Sequence, residues 1–141
     1  EVLGKYKGAT IVDDYAHHPT EVQSALEGAR AAYPDKKIIT VFHPHTFTRT
    51  KKLLDEFSKS FKDTDELIVL DIYGSSREAQ GGVHSKDLIV KIEEANPDLH
   101  VVYIPDLEKC EAYLRTKLGT GDLLLLMGAG DVFRVGENLV Q

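Results

Sequence analysis

Four of the six histidines fall in two short stretches. One reads Asp13-Asp14-Tyr15-Ala16-His17-His18-Pro19-Thr20-Glu21, the other His43-Pro44-His45-Thr46-Phe47-Thr48-Arg49-Thr50. Imidazole changes charge near neutral pH and also ligates metals. His17, His18, His43 and His45 therefore admit three chemistries. They could form a zinc site of the kind H-x-H spacing supports in hydrolases. They could be hydrogen-bonded loop residues that fix backbone geometry, or donors to an anion near helix N-termini. No cysteine joins the cluster and a proline sits beside each pair, which argues for tight turns rather than a metal.

Arg49 stands where a helical pattern begins. A cation there opposes the helix dipole, so a negative partner should offset it. Its planar fork suits a carboxylate or phosphate held by two parallel bonds; the bland alternative is a solvated surface residue, as Lys51 and Lys52 read. Asp14 could accept from ribose hydroxyls, hold Mg²⁺, act as acid or base, or merely cap the following helix. Asp71-Ile72-Tyr73-Gly74-Ser75-Ser76-Arg77-Glu78 is a third polar stretch, in which Arg77 and Glu78 could simply pair with each other. Gly128-Ala129-Gly130-Asp131 is a fourth; its glycines either let a ligand approach the backbone or make the turn into a helix.

These stretches share one structural position, because each follows a run with strand character. Thr10–Asp14, Lys37–Phe42, Glu66–Ile72, His100–Ile104 and Asp122–Met127 are short and nearly continuous apolar runs, as expected of strands covered on both faces. Helical periods alternate with them. One helix starts at Pro19 and stops at Pro34, with Val22, Ala25, Leu26, Ala29 and Tyr33 on one face. A second runs from about Thr50 with Leu53, Leu54, Phe57 and Phe61 inward. A third has Ser85 as N-cap, then Leu88, Ile89, Ile92 and Ala95, ending before Pro97. A fourth is capped by Asp106 and ends at Gly119. A fifth, short helix follows Asp131. This alternation predicts a Rossmann-like α/β fold: an open, mostly parallel five- to six-stranded sheet with helices on both faces. Such sheets bind ligands beyond the C-terminal ends of their strands, where all four polar stretches would lie. Residues 1–9 read as a lead-in from a preceding domain.

Composition narrows the partners. With 141 residues, 42% hydrophobic and 28% charged, the chain is one folded domain rather than a disordered segment. A net charge of -6 disfavours nucleic acid and anionic membranes. The longest apolar run, Leu123 to Met127, is too short to span a bilayer. Cys110 is the lone cysteine, which fits a reducing compartment. The sequence has no G-x-G-x-x-G after its first strand and no G-x-x-x-x-G-K-[ST], so it cannot cradle nucleotide phosphates by a P-loop of its own. A phosphorylatable receiver, with Asp13, Asp14 and Asp71 in one acidic pocket, lacks the expected lysine after the last strand.

Taken together and in order, the four loops resemble the Mur ligase family over essentially the whole chain. Murein-peptide-recycling members share a D-D-x-A-H-H-P-like opening but carry an E-P-R-S-like sequence after the second strand. The H-P-H-T-F-T-R-T found here favours the members that add alanine. The resemblance implies the C-terminal domain of a three-domain, ATP-dependent ligase of peptidoglycan biosynthesis in the cytoplasm. Covalently linked N-terminal and central domains would bind the UDP-sugar, and ATP with Mg²⁺, respectively. The substrates would be UDP-N-acetylmuramate, L-alanine and ATP, joined through an acyl phosphate. On that mapping Asp14 binds the ATP ribose, His17 lies near the acyl group and incoming amino acid, and Arg49 holds the alanine carboxylate. His45, Tyr73 and Gly128 line the site, and no metal is ligated by this domain. Two departures stand out. Many family members have arginine where Thr46 stands, and position 43 is often glutamine where His43 reads as a tolerated change. The recycling ligase and a His-cluster zinc hydrolase remain the alternatives.

Overall fold

The computed structural model describes residues 1–74 and 82–141; Ser75, Ser76, Arg77 and Glu78 lie outside the described residues. Twelve elements follow one another: β1 Val2–Tyr6, β2 Ala9–Asp14, α1 Pro19–Ala32, β3 Lys37–Phe42, α2 Phe47–Lys52, α3 Leu54–Ser58, β4 Glu66–Val69, α4 Ser85–Ala95, β5 His100–Tyr103, α5 Leu107–Lys117, β6 Asp122–Met127 and α6 Phe133–Val140. The sheet has six strands in the order β1-β2-β6-β3-β4-β5. All neighbours are parallel except β1 and β2.

This order sorts the helices. From β2 through β3 and β4 to β5 the chain advances in one direction, so right-handed crossovers place α1, α3 and α4 on one face. The return from β5 to β6 reverses direction and carries α5, with α6 behind it, to the other face. Side chains divide accordingly, since successive strand residues point to opposite faces. Ile38, Phe42, Leu67 and Leu125 pack with Val22, Leu26, Phe57, Phe61, Leu88 and Ile92. Ile39, Val41, Ile68 and Leu126 pack with Cys110, Leu114, Val135 and Leu139. Phe42 meets Phe57 and Phe61 at ring separations of 5.3 and 5.2 Å. Burying each such ring stabilises the fold by roughly 1.5–3 kcal/mol.

Local signals start the helices. Pro19 opens α1, and the Glu21 carboxylate accepts from the backbone N–H groups of His17 and His18 at 3.3 and 3.1 Å. Asp106 caps α5, accepting from the Lys109 N–H at 2.8 Å. Four expectations shift. Residues 2–6, inside the stretch read as a lead-in, form an edge strand, with Val2 opposite Val12 and Tyr6 opposite Ala9. The second helix is two short ones, parted at Leu53, where ψ rises to 22°. The N-cap of α4 is His84, and the Ser85 hydroxyl donates instead to the Leu70 carbonyl beneath it. β4 ends at Val69 rather than Ile72, because the Asp71 and Tyr73 amides bond to Pro105 and Pro44 outside the ladder. Among the described residues no helix is long and apolar enough to cross a membrane.

Candidate functional site at the carboxyl edge of the sheet

β6 is inserted between β2 and β3, so the loops leaving these strands diverge at a switch in direction, the place where open α/β sheets bind ligands. The three loops are knitted together at their bases. The Gly128 N–H donates to the Asp14 carbonyl at 3.2 Å, and the His43 N–H to the Met127 carbonyl at 2.9 Å. The loop after β4 joins through an isolated parallel bridge between His45 and Tyr73. The Thr46 amide donates to the Tyr73 carbonyl at 2.6 Å and the Tyr73 amide to the Pro44 carbonyl at 2.7 Å.

Above this backbone runs a continuous set of rings. His17 lies 6.4 Å from His45; His45 stacks on Tyr73 at 5.2 Å with planes 17° apart; Tyr73 stands edge-on to His43 at 5.5 Å. Three of the residues expected to line a site, His17, His45 and Tyr73, are therefore brought into contact. The His17 Nδ1 lies 3.0 Å from the Tyr15 carbonyl. An acceptor there keeps the proton on Nδ1 and leaves the lone pair on Nε2. Gly128 has φ of +150°, and a Cβ added to it would stand 2.9 Å from the His43 carbonyl oxygen. Only glycine lets β6 turn this close to the neighbouring loop.

Asp14 does not cap α1. One carboxylate oxygen takes the Ala16 N–H at 2.9 Å, and the residue borders a groove of about 530 Å³ with Tyr15, Thr20, Glu21 and Ser24. Arg49 is the third residue of α2, its N–H accepted by the Thr46 hydroxyl at 3.2 Å. Because α2 has only six residues, Arg49 belongs to its first and last turns alike, and the dipole argument loses its force. A different observation replaces it: Arg49 is half-buried, and among the described residues it has no carboxylate partner. Thr46 holds a positive φ of 68°, unusual for a β-branched residue and fixed here by bonds on both sides.

Three residues carry more of the site than their sequence context indicated. His43 is 8% exposed, and burial, aided by the nearby His45, pushes its pKa down to about 4 against the opposing pull of Asp131 and Asp71. Tyr15 is 68% exposed at the rim, edge-on to His17. Glu21 anchors the backbone of both His17 and His18, and those two N–H groups hold its carboxyl below the usual range. The His18-x-x-Glu21 spacing of a capping box was the available signal for it.

The rival chemistries find less here. Among the described residues no three His, Cys, Asp or Glu side chains converge to hold a metal ion, so the zinc alternative has no ligand set there. The receiver pocket does not assemble. Two strands separate β2 from β4, which sets Asp14 and Asp71 roughly 14 Å apart across the sheet. Asp71 is instead bonded to the Tyr103 hydroxyl.

Comparison with known proteins agrees with this architecture. Residues 1–130 match the family described as Mur ligase, glutamate ligase domain. A UDP-N-acetylmuramate–L-alanine ligase from Acetivibrio thermocellus is 50% identical over 142 residues, covering 100% of this chain. The chain spans 29% of that relative's length. A murein peptide ligase from Psychrobacter arcticus superposes with a TM-score of 0.80 at 22% identity, over 99% of this chain and 28% of the other. The UDP-N-acetylmuramate–alanine ligase of Thermotoga maritima does so with 0.75 at 22%, over 95% and 26%. At that identity the two structures speak for the fold alone.

Proposed function

This chain belongs to the Mur ligase family, and we propose that it is the C-terminal domain of an ATP-dependent ligase joining L-alanine to UDP-N-acetylmuramate in peptidoglycan biosynthesis. The observation that carries the reading is the ring set at the switch point, with Arg49 four residues beyond His45 at the start of α2 and without a carboxylate partner among the described residues. The 50% identity to an alanine-adding relative favours alanine over the recycling reaction. Since the chain spans about three tenths of that relative, the remaining domains supply what it lacks. It has no P-loop sequence, and in this reading ATP and Mg²⁺ are bound mainly by the covalently linked central domain.

In this reading the muramoyl carboxylate is activated as an acyl phosphate and attacked by the alanine amine through a tetrahedral intermediate, with release of phosphate and ADP. This domain contributes position and charge rather than a lone general base. Asp14 receives the ribose in its groove. Arg49 holds the alanine carboxylate through parallel bonds, and His17, oriented by Tyr15, faces the acyl group with Nε2. His45, Tyr73 and Gly128 form the wall. Closure of the domain over the nucleotide excludes water from the labile intermediate. All these ligands are those of a cytoplasmic enzyme.

Steady-state kinetics of the parent protein carrying Arg49→Ala test the assignment by phosphate release. A lost bond to a charged group weakens binding by about 1.5–3 kcal/mol, so the alanine KM should rise roughly 10- to 100-fold while the ATP KM stays within about twofold. Absence of alanine-dependent phosphate release from the wild-type parent would refute the reading.

A further inference from the structure

His84 stands between two demands that a single protonation state cannot meet. It is the N-cap of α4, and its Nδ1 accepts the Lys86 N–H at 3.0 Å. An accepting ring nitrogen carries a lone pair, so the capping imidazole is neutral with its proton on Nε2. That Nε2 lies 3.6 Å from Oδ1 of Asp71. The separation is too long for a hydrogen bond of ordinary strength but within reach of an ion pair once the ring is charged. Protonation would strengthen the attraction to Asp71. It would also place a hydrogen on Nδ1, pointing at the Lys86 N–H, and so abolish the cap.

The groups around the ring fix this opposition in place. The Tyr103 hydroxyl, from β5, donates to the same Asp71 oxygen. That bond, with burial and the anionic Asp71 and Asp106, pushes the tyrosine up to about 12, so it stays a donor while a histidine titrates. The Asp71 amide is tied to the Pro105 carbonyl at 3.1 Å. The His84 and Tyr103 rings lie 5.4 Å apart. On α4 itself, the Asp87 carboxylate takes the His84 N–H at 2.8 Å, and the Lys86 ammonium lies 5.3 Å over the Tyr103 ring. The His84 and Asp71 side chains are each about half exposed, so protons reach both. Asp71 also opens the stretch that carries Tyr73, two residues on, into its stack with His45.

We propose that His84 is a proton-controlled latch between α4 and the stretch leading from β4 to Tyr73. Neutral, it caps α4 through Nδ1. Protonated, it releases that cap and pairs with Asp71, so acidification loosens the first turn of α4 and ties its start to Asp71. The latch lies on the far side of Asp71 from the ring set, and its working does not depend on the ligase reading.

The test is nuclear magnetic resonance of the isotopically labelled 141-residue chain, titrated between about pH 8 and pH 5. At the alkaline end the two His84 ring nitrogens should show the wide shift separation of an Nε2–H tautomer. On acidification that separation should collapse. The Lys86 amide proton should move upfield as its acceptor is lost, and the Asp71 carboxyl carbon should shift with the same midpoint. In His84→Asn the Lys86 amide should stay where it is, because asparagine caps a helix at every pH in this range. In Asp71→Asn the Lys86 transition should persist, since the cap does not need the carboxylate. An Nδ1–H tautomer at the alkaline end would overturn the proposal. So would a His84 ring that protonates without moving the Lys86 amide, or a Lys86 transition that survives in His84→Asn. An Asp71 carboxyl that does not follow the ring would remove the pairing half of the latch and overturn it equally.

Discussion

Acidification from pH 7 to pH 5 should weaken this domain through His43. In the unfolded chain a histidine titrates near 6.5; in the fold, burial pushes His43 down to about 4. Between those values the unfolded state binds a proton that the native state refuses, so stability falls as the pH drops through 6.5 toward 4. At pH 5 the unfolded histidine is almost fully protonated and the native one almost fully neutral, which amounts to about 2 kcal/mol relative to pH 7. For a chain of this length that is roughly 7 °C in melting temperature. The window separates His43 from the carboxylates. Glu21 and Glu66 are held below their ordinary range by backbone amides and by Lys117 and Lys37 respectively, so their stabilising contribution is lost only at lower pH. Urea unfolding of the 141-residue chain at the two pH values, for wild type and His43→Leu, isolates the effect. Wild type should lose about 2 kcal/mol more than the variant on acidification. Equal losses in the two proteins would refute the reasoning, because they would mean that His43 is protonated in the fold as readily as out of it.

Two further substitutions probe the frame around the rings. Gly128→Ala forces a Cβ to within 2.9 Å of the His43 carbonyl at a φ of +150°; thermal unfolding should show a loss of at least roughly 1–3 kcal/mol. Glu21→Ala frees the N–H groups of His17 and His18 and should cost about 1 kcal/mol. It should also lower kcat of the parent protein, while Glu21→Gln, which keeps an acceptor, retains most of both.

Much of this was readable before folding was considered. β-branched and leucine-rich runs mark β2, β3 and β6, because strands covered on both faces need no polar alternation. Pro19 and Asp106 announce α1 and α5, since a helix start has local demands that those residues meet. The polar stretches after each strand point to the carboxyl edge as the site, and the loops themselves carry the family resemblance. The break at Leu53 was hidden, because Leu53, Leu54, Phe57 and Phe61 keep one helical face whether or not the backbone kinks between them. β1 was hidden too: Val-Leu-Gly-Lys-Tyr has no strong strand pattern and is held by its pairing with β2.

Apart from β1 and the break at Leu53, local sequence thus determined which segments are strands and helices, because propensity and periodicity act over a few residues. Where the strands sit relative to one another depended on contacts between residues far apart in the chain. The insertion of β6 between β2 and β3 separates Asp14 from Asp71, presses Gly128 against the His43 loop and brings Gly130 against the His43 ring. Burial is a property of that arrangement and not of the residue. His43 therefore reads in sequence as a tolerated change, and only the packed structure shows it buried, with its Nδ1 unpartnered among the described residues.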